Sequence, residues 1–299
     1  MSGGRYMQRG LVVLSIINVF VVLMTSCSHS SGKNRRYSIG NEQLPVETAI
    51  TIIGEPDTVD NESVKDKNSR DSALLICKLA SLSHISEQIL EKKSYIVSYN
   101  KNTKIPNWVA WHLSAEHADG DITRFGGYWE DEEVPKPRAT KEDYKGSRWS
   151  HGHMCPAGDN RWDSLAMRET FLLTNICPQH SNLNSGLWNK IEQDCRKWAQ
   201  KYRDVYIVCG PILLNREHET IGENKIVVPE AFFKVILCLQ VKPKAIGFIV
   251  RNNEGKKKRD QYVNTVDEVE RITGIDFFPA LPDDIENVVE ANANLDDWR

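Results

Sequence analysis

His151 and His153 stand two residues apart in "SHGHMC", with Cys155 two residues further on. In an extended segment all three side chains would point to one face. Imidazole and thiolate are zinc ligands, and a neutral imidazole is also a general base near neutral pH. The zinc reading lacks a fourth ligand, because no second C-x-x-C or H-x-x-x-H follows at a usual spacing. The base reading needs partners, and the downstream sequence offers them. Asn175 and Asn184 carry neutral oxygen ligands. A hard cation such as Mg²⁺ takes oxygen and keeps most of its waters. Glu192 and Arg196 lie four apart on one helix flank. A carboxylate there can hold metal-bound water, and the planar fork of a guanidinium suits phosphate. Each residue alone has a plainer reading: a structural histidine, a helix-end cap for Asn175, an i,i+4 surface ion pair for Glu192 and Arg196. The order and spacing of the whole set carry the weight.

These residues need elements to hold them. Ser94–Asn100 and Asn107–Ser114 alternate and are rich in β-formers, so they read as strands joined by a turn at Asn100–Pro106. Asp119–Ser147 is full of Gly, Pro and charge, a long loop of the kind that is often functional. Asp163 caps a helix running to about Phe171. The segment Asn184–Tyr202 is the clearest helix, with Leu187, Ile191, Cys195 and Trp198 on one apolar stripe. Asp204–Leu213, Ala231–Gln240 and Lys244–Asn252 read as strands, and Thr265–Gly274 as a short helix closed by a glycine. Strands, a central helix, then strands again predict an α+β fold around a mixed or antiparallel sheet.

The first 27 residues differ from the rest. Arg5 and Arg9 precede an apolar run, Leu11–Met24, and Thr25 and Ser26 precede Cys27. This describes an export signal whose small residues resemble a bacterial lipobox, with Cys27 lipidated. The run is short for a bilayer span, which needs about 20 residues. The expectation is a signal over 1–27, a disordered polar tether over 28–72, and one folded domain over 73–299. The protein would then be an exported bacterial envelope lipoprotein, in the periplasm or on the cell surface, held to the membrane by an N-terminal lipid.

The signal contains two arginines and no acid, so the net charge of −3 becomes −5 without it. Overall charge therefore gives no support for nucleic-acid binding, which would need a local basic patch. Of seven cysteines, six remain beside Cys27. In an exported chain they could form three bridges, and buried free thiols are equally compatible with their apolar surroundings. Oligomeric state is not legible.

From Arg148 to Ala199 the chain resembles the DNA/RNA non-specific endonucleases, the ββα-metal nucleases, on "SHGH", "ETFLLTN" and "LNSGLWNKIE". The likeness extends roughly from Tyr95 to Pro282, through "WVAWHLS" and "VERITGIDFFPALP". It implies a ββα-metal fold with a central, mostly antiparallel sheet flanked by helices. It also implies a Mg²⁺-dependent endonuclease, with Mn²⁺ as an alternative ion, acting on DNA and RNA without sequence preference and leaving 5′-phosphates. In that likeness His153 matches the general base, Asn184 the direct protein ligand of the metal, and Glu192 the acid that orients metal-bound water. Arg196 matches a phosphate-binding arginine, Asn175 an asparagine supporting the catalytic histidine or substrate, and Arg124 an upstream phosphate-contacting arginine. The family's D-R-G-H is here Ser150-His151-Gly152-His153. An imidazole thus stands where an arginine would face substrate, and retained activity with an altered grip is expected. The rival expectation is a catalytically retired surface lipoprotein that binds nucleic acid or a protein partner.

Overall fold

The computed structural model describes residues 79–299 apart from Val241 and Glu254, together with Ile76. The signal over 1–27, Cys27, the tether over 28–72, Cys77 and the expected domain start lie outside the described residues.

Eleven strands are present among the described residues: β1 (Gln88–Glu91), β2 (Ile96–Asn100), β3 (Ile105–Ser114), β4 (Ser150–His153), β5 (Ile176–Gln179), β6 (Asp204–Ile212), β7 (Thr220–Ile221), β8 (Ile226–Val227), β9 (Ala231–Cys238), β10 (Lys244–Arg251) and β11 (Val263–Asn264). The four helices that matter here are α1 (Ser164–Glu169), α2 (Asn189–Tyr202), α3 (Val266–Thr273) and α4 (Asp283–Glu290). Seven strands form one antiparallel sheet in the order β1-β2-β3-β6-β9-β10-β11, so the α+β expectation is met.

Both faces of this sheet are covered, which is why β9 reads "AFFKVILC" as an almost unbroken apolar run. Side chains alternate across it. On one face Val109, Trp111, Ile207 and Cys209 meet β4, β5 and an apolar stripe that runs from Leu187 into α2, where Ile191, Cys195 and Trp198 are also buried. On the other face Trp108, Ala110, Val208 and Val235 meet Val266 and Val269 of α3 and Val289 of α4.

Two local features differ from the sequence reading. The helix expected from Asn184 onward begins as a π turn over Asn184–Trp188, and Gly186 leaves helical angles (φ −100°, ψ −105°) before α2 proper starts. The loop over Asp119–Ser147 is anchored by a bridge between Trp129 and Leu172 and by a one-turn 3-10 segment at Lys141–Tyr144. The five described cysteines are buried free thiols, so no bridge forms among them.

Candidate active site

β4 and β5 pair antiparallel, with His151 opposite Pro178 and His153 opposite Ile176. Gly152, between the histidines, is required by packing: a Cβ there would stand 2.5 Å from the side-chain oxygen of Gln179. The exit from β4 is stapled by Asn175. Its amide oxygen accepts from Cys155 N at 2.9 Å, and its Nδ2 donates to the carbonyls of Cys155 and Thr170, both at 2.9 Å. Asn175 is fully buried with its amide spent on backbone, so it positions the strand that carries His153 and is sealed off from substrate. Cys155 also packs as a core thiol, taking a hydrogen bond from Asn160 at 3.3 Å. The triple of His151, His153 and Cys155 forms no metal cluster among the described residues.

His153 is buried, and its Nε2 has no hydrogen-bond partner. The ring packs edge-on against Phe171, with centroids 4.9 Å apart. Burial, then the charges of Arg124 and His151, push the imidazole down to about 3, so it is neutral at physiological pH. Arg124 is exposed and lies over the same Phe171 ring at 5.0 Å. Its charge acts on both His153 and Glu192.

His151 occupies a stack. Tyr128 covers one face of its ring at 3.9 Å and Tyr144 also stacks on it at 3.9 Å, with interplanar angles of 11° and 20°. Its Nε2 is buried without a partner, and burial lowers the ring to about 4. Where the family pattern has an arginine, this chain holds a neutral, sandwiched imidazole whose flat faces are taken by tyrosines.

Asn184 sits at the start of the π turn. Its Nδ2 donates to Ser150 Oγ at 3.2 Å and to the His151 carbonyl at 3.3 Å, which ties it to the strand bearing His153. Its Nδ2 is spent on protein and its amide oxygen accepts no hydrogen bond among the described residues, a geometry that offers a hard oxygen donor to a cation. Glu192, two turns on and half-buried, makes no side-chain hydrogen bond among the described residues. Burial pushes its carboxyl up to about 7, opposed by the charge of Lys234. An oxygen set of one amide and one acid fits a divalent cation of the magnesium type.

Arg196 does not pair with Glu192. It donates from Nη1 to Asp159 Oδ1 at 2.7 Å, and the other Asp159 oxygen accepts from Trp111 Nε1 at 3.1 Å. Lys234 lies beneath, with no exposure and no hydrogen-bond partner, its ammonium 4.6 Å from the Trp188 ring and 5.1 Å from that of Trp111. Cation–π attraction and the nearby acids hold this charge against desolvation.

Sequence reasoning missed Asp159, Lys234, Tyr128, Tyr144 and Phe171. Lys234 carried a signal, as the single charge inside the apolar run of β9.

The profile of the family described as DNA/RNA non-specific endonuclease matches residues 75–284. The chain belongs to the DNA/RNA non-specific endonuclease family. It is 36% identical over 215 residues to human mitochondrial nuclease EXOG, covering 65% of this chain and 58% of EXOG. The chain thus spans less than two thirds of that relative's length. It is 30% identical over 209 residues to human mitochondrial endonuclease G, with 65% and 70% covered, and 32% identical over 213 residues to nuclease C1 of Cunninghamella echinulata var. echinulata, with 66% and 84% covered. Among solved structures, a chain of the EndoG/EndoGI complex superposes with a TM-score of 0.64 at 27% identity, covering 67% of this chain and 89% of that one. The ββα-metal fold of the family is therefore the fold of this chain: β4, β5 and the segment from the π turn through α2 form its ββα unit.

Proposed function

We propose that this member of the endonuclease family cuts DNA and RNA within the strand, dependent on Mg²⁺ or Mn²⁺ and indifferent to sequence. The observation that carries this reading is the tie between Asn184 and the His151 carbonyl. It fixes the cation-binding amide to the same strand as the unprotonated His153. Asn184, with Glu192 beside it, would hold a divalent cation, which would supply charge stabilisation at the attacked phosphate. His153, whose Nε2 has no hydrogen-bond partner, takes a proton from the attacking water. Attack at phosphorus breaks the bond to the 3′ oxygen, which gains a proton from solvent and leaves a 5′-phosphate. Exposed Arg124 grips a phosphate, and Arg196, aimed by Asp159, grips one from α2. These groups contact backbone, which carries no sequence information.

We infer further that the chain is exported and lipid-anchored through Cys27, from the N-terminal residue pattern. Labelling with a radioactive fatty acid tests this: the parent incorporates label and the Cys27→Ala variant does not.

The activity is tested by incubating plasmid and RNA with the full chain, with Mg²⁺ and with EDTA. Fragments formed only with the ion support it. Retention on nucleic acid with no product under either condition would instead identify a binding-only scaffold.

A further inference from the structure

We propose that Asp267, Glu270 and Glu290 form a second divalent-cation site, suited to calcium, that clamps α3 to α4 on the sheet face opposite the ββα unit. Each of these residues offers a carboxylate oxygen within 4.8 Å of the others. Glu290 is 7% exposed, and its Oε1 is buried without any hydrogen-bond partner. None of the three makes an ion pair among the described residues, and the Glu270 carboxylate has a single hydrogen bond there, accepted from Phe277 N at 2.8 Å.

Three converging carboxylates and no cation are a costly arrangement in a partly buried place. The sequence makes it costlier, because Glu290 is the last residue of α4, where the helix dipole disfavours an anion. A bound cation resolves both problems. Calcium takes six to eight oxygens in a flexible shell, which suits three carboxylates completed by water, whereas magnesium demands near-ideal octahedral geometry. Asp267 is exposed, which leaves an entry path and room for waters to complete the coordination.

The site shares no residue with the proposed active site, so the two stand or fall separately. Melting of the full chain in EDTA and in about 5 mM Ca²⁺ tests it, since weak extracellular-type sites bind at roughly 0.1–1 mM. Calcium is expected to raise the parent's Tm by about 3–5 °C. Glu290→Gln is expected to melt higher than the parent in EDTA and to lose most of the calcium shift. Asp267→Asn changes only an exposed group and should also blunt the shift. Asn184→Ala should keep it. No calcium shift in the parent, or a full shift in both Glu290→Gln and Asp267→Asn, would overturn the proposal.

Discussion

Asp159 Oδ1 lies 2.7 Å from Arg196 Nη1, and the Asp159 side chain is only 1% exposed. This pair, not Glu192, decides where Arg196 points. Gly158 next to it leaves room, since a Cβ there would stand 2.8 Å from Arg196 Nη1. Burial raises the Asp159 carboxyl while Arg196 and Lys234 hold it down, so the cluster is a balanced set of buried charges. Removing one partner of such a pair leaves the other uncompensated. Asp159→Asn should therefore lose about 3–5 kcal/mol of stability, measured by urea unfolding. Its KM for DNA should rise as well. A loss below 1 kcal/mol would mean that water reaches this pair freely.

His151 gives a pH signature. Its folded value, about 4, lies below the ordinary histidine value of about 6.5. As pH falls from 6.5 towards 4, the unfolded chain takes up the proton first, so stability drops through that window and is unaffected above it. His151→Phe keeps a ring between Tyr128 and Tyr144 but cannot protonate. Between pH 7 and pH 4 the variant should lose about 2–3 kcal/mol less than the parent. Parallel stability–pH curves would show that the stack does not hold His151 neutral.

Much of this was legible in the sequence, and the failures have physical causes. Asp163 does cap α1, accepting from Leu165 N and Ala166 N at 2.8 and 2.9 Å. Gly274 closes α3 at φ 70°, as its position after the periodic run implied. The sheet strands were readable because both-face burial makes long apolar runs. β1 escaped notice because "QILE" is four residues with one buried position. α4 was hidden by its acidic first turn, and its apolar contact with the sheet is mainly Val289. The candidate site residues were named from motif order. Their partners could not be: the pairing of Asp159 with Arg196, and the stacking of His151, join segments far apart in the chain.

Asn184→Ala should leave the fold intact, because its hydrogen bonds are to half-buried groups at the surface of the ββα unit. Its kcat with saturating Mg²⁺ should fall by about 100-fold or more, the scale of several kcal/mol of charge stabilisation. A variant that cuts at the parental rate would move the cation elsewhere.

With a cation beside Glu192, as proposed, binding should be proton-linked. Burial holds the Glu192 carboxyl near 7, so below that pH the cation must displace a proton. The Mg²⁺ concentration for half-maximal cleavage should fall about tenfold per pH unit as pH rises towards 7, then level off. Glu192→Gln should remove the slope. A half-saturation that is flat from pH 5.5 to 7 in the parent would show that Glu192 is already ionised without the ion.

In the proposed mechanism His153, neutral beside an asparagine-held cation, starts the hydrolysis. The most direct measurement compares cleavage of supercoiled plasmid by the full chain and by His153→Ala, at equal Mg²⁺ and with far-UV circular dichroism to confirm equal folding. His153→Ala should lose about 10²–10⁴-fold, the usual contribution of a general base. A folded His153→Ala protein that cleaves at the parental rate would contradict it.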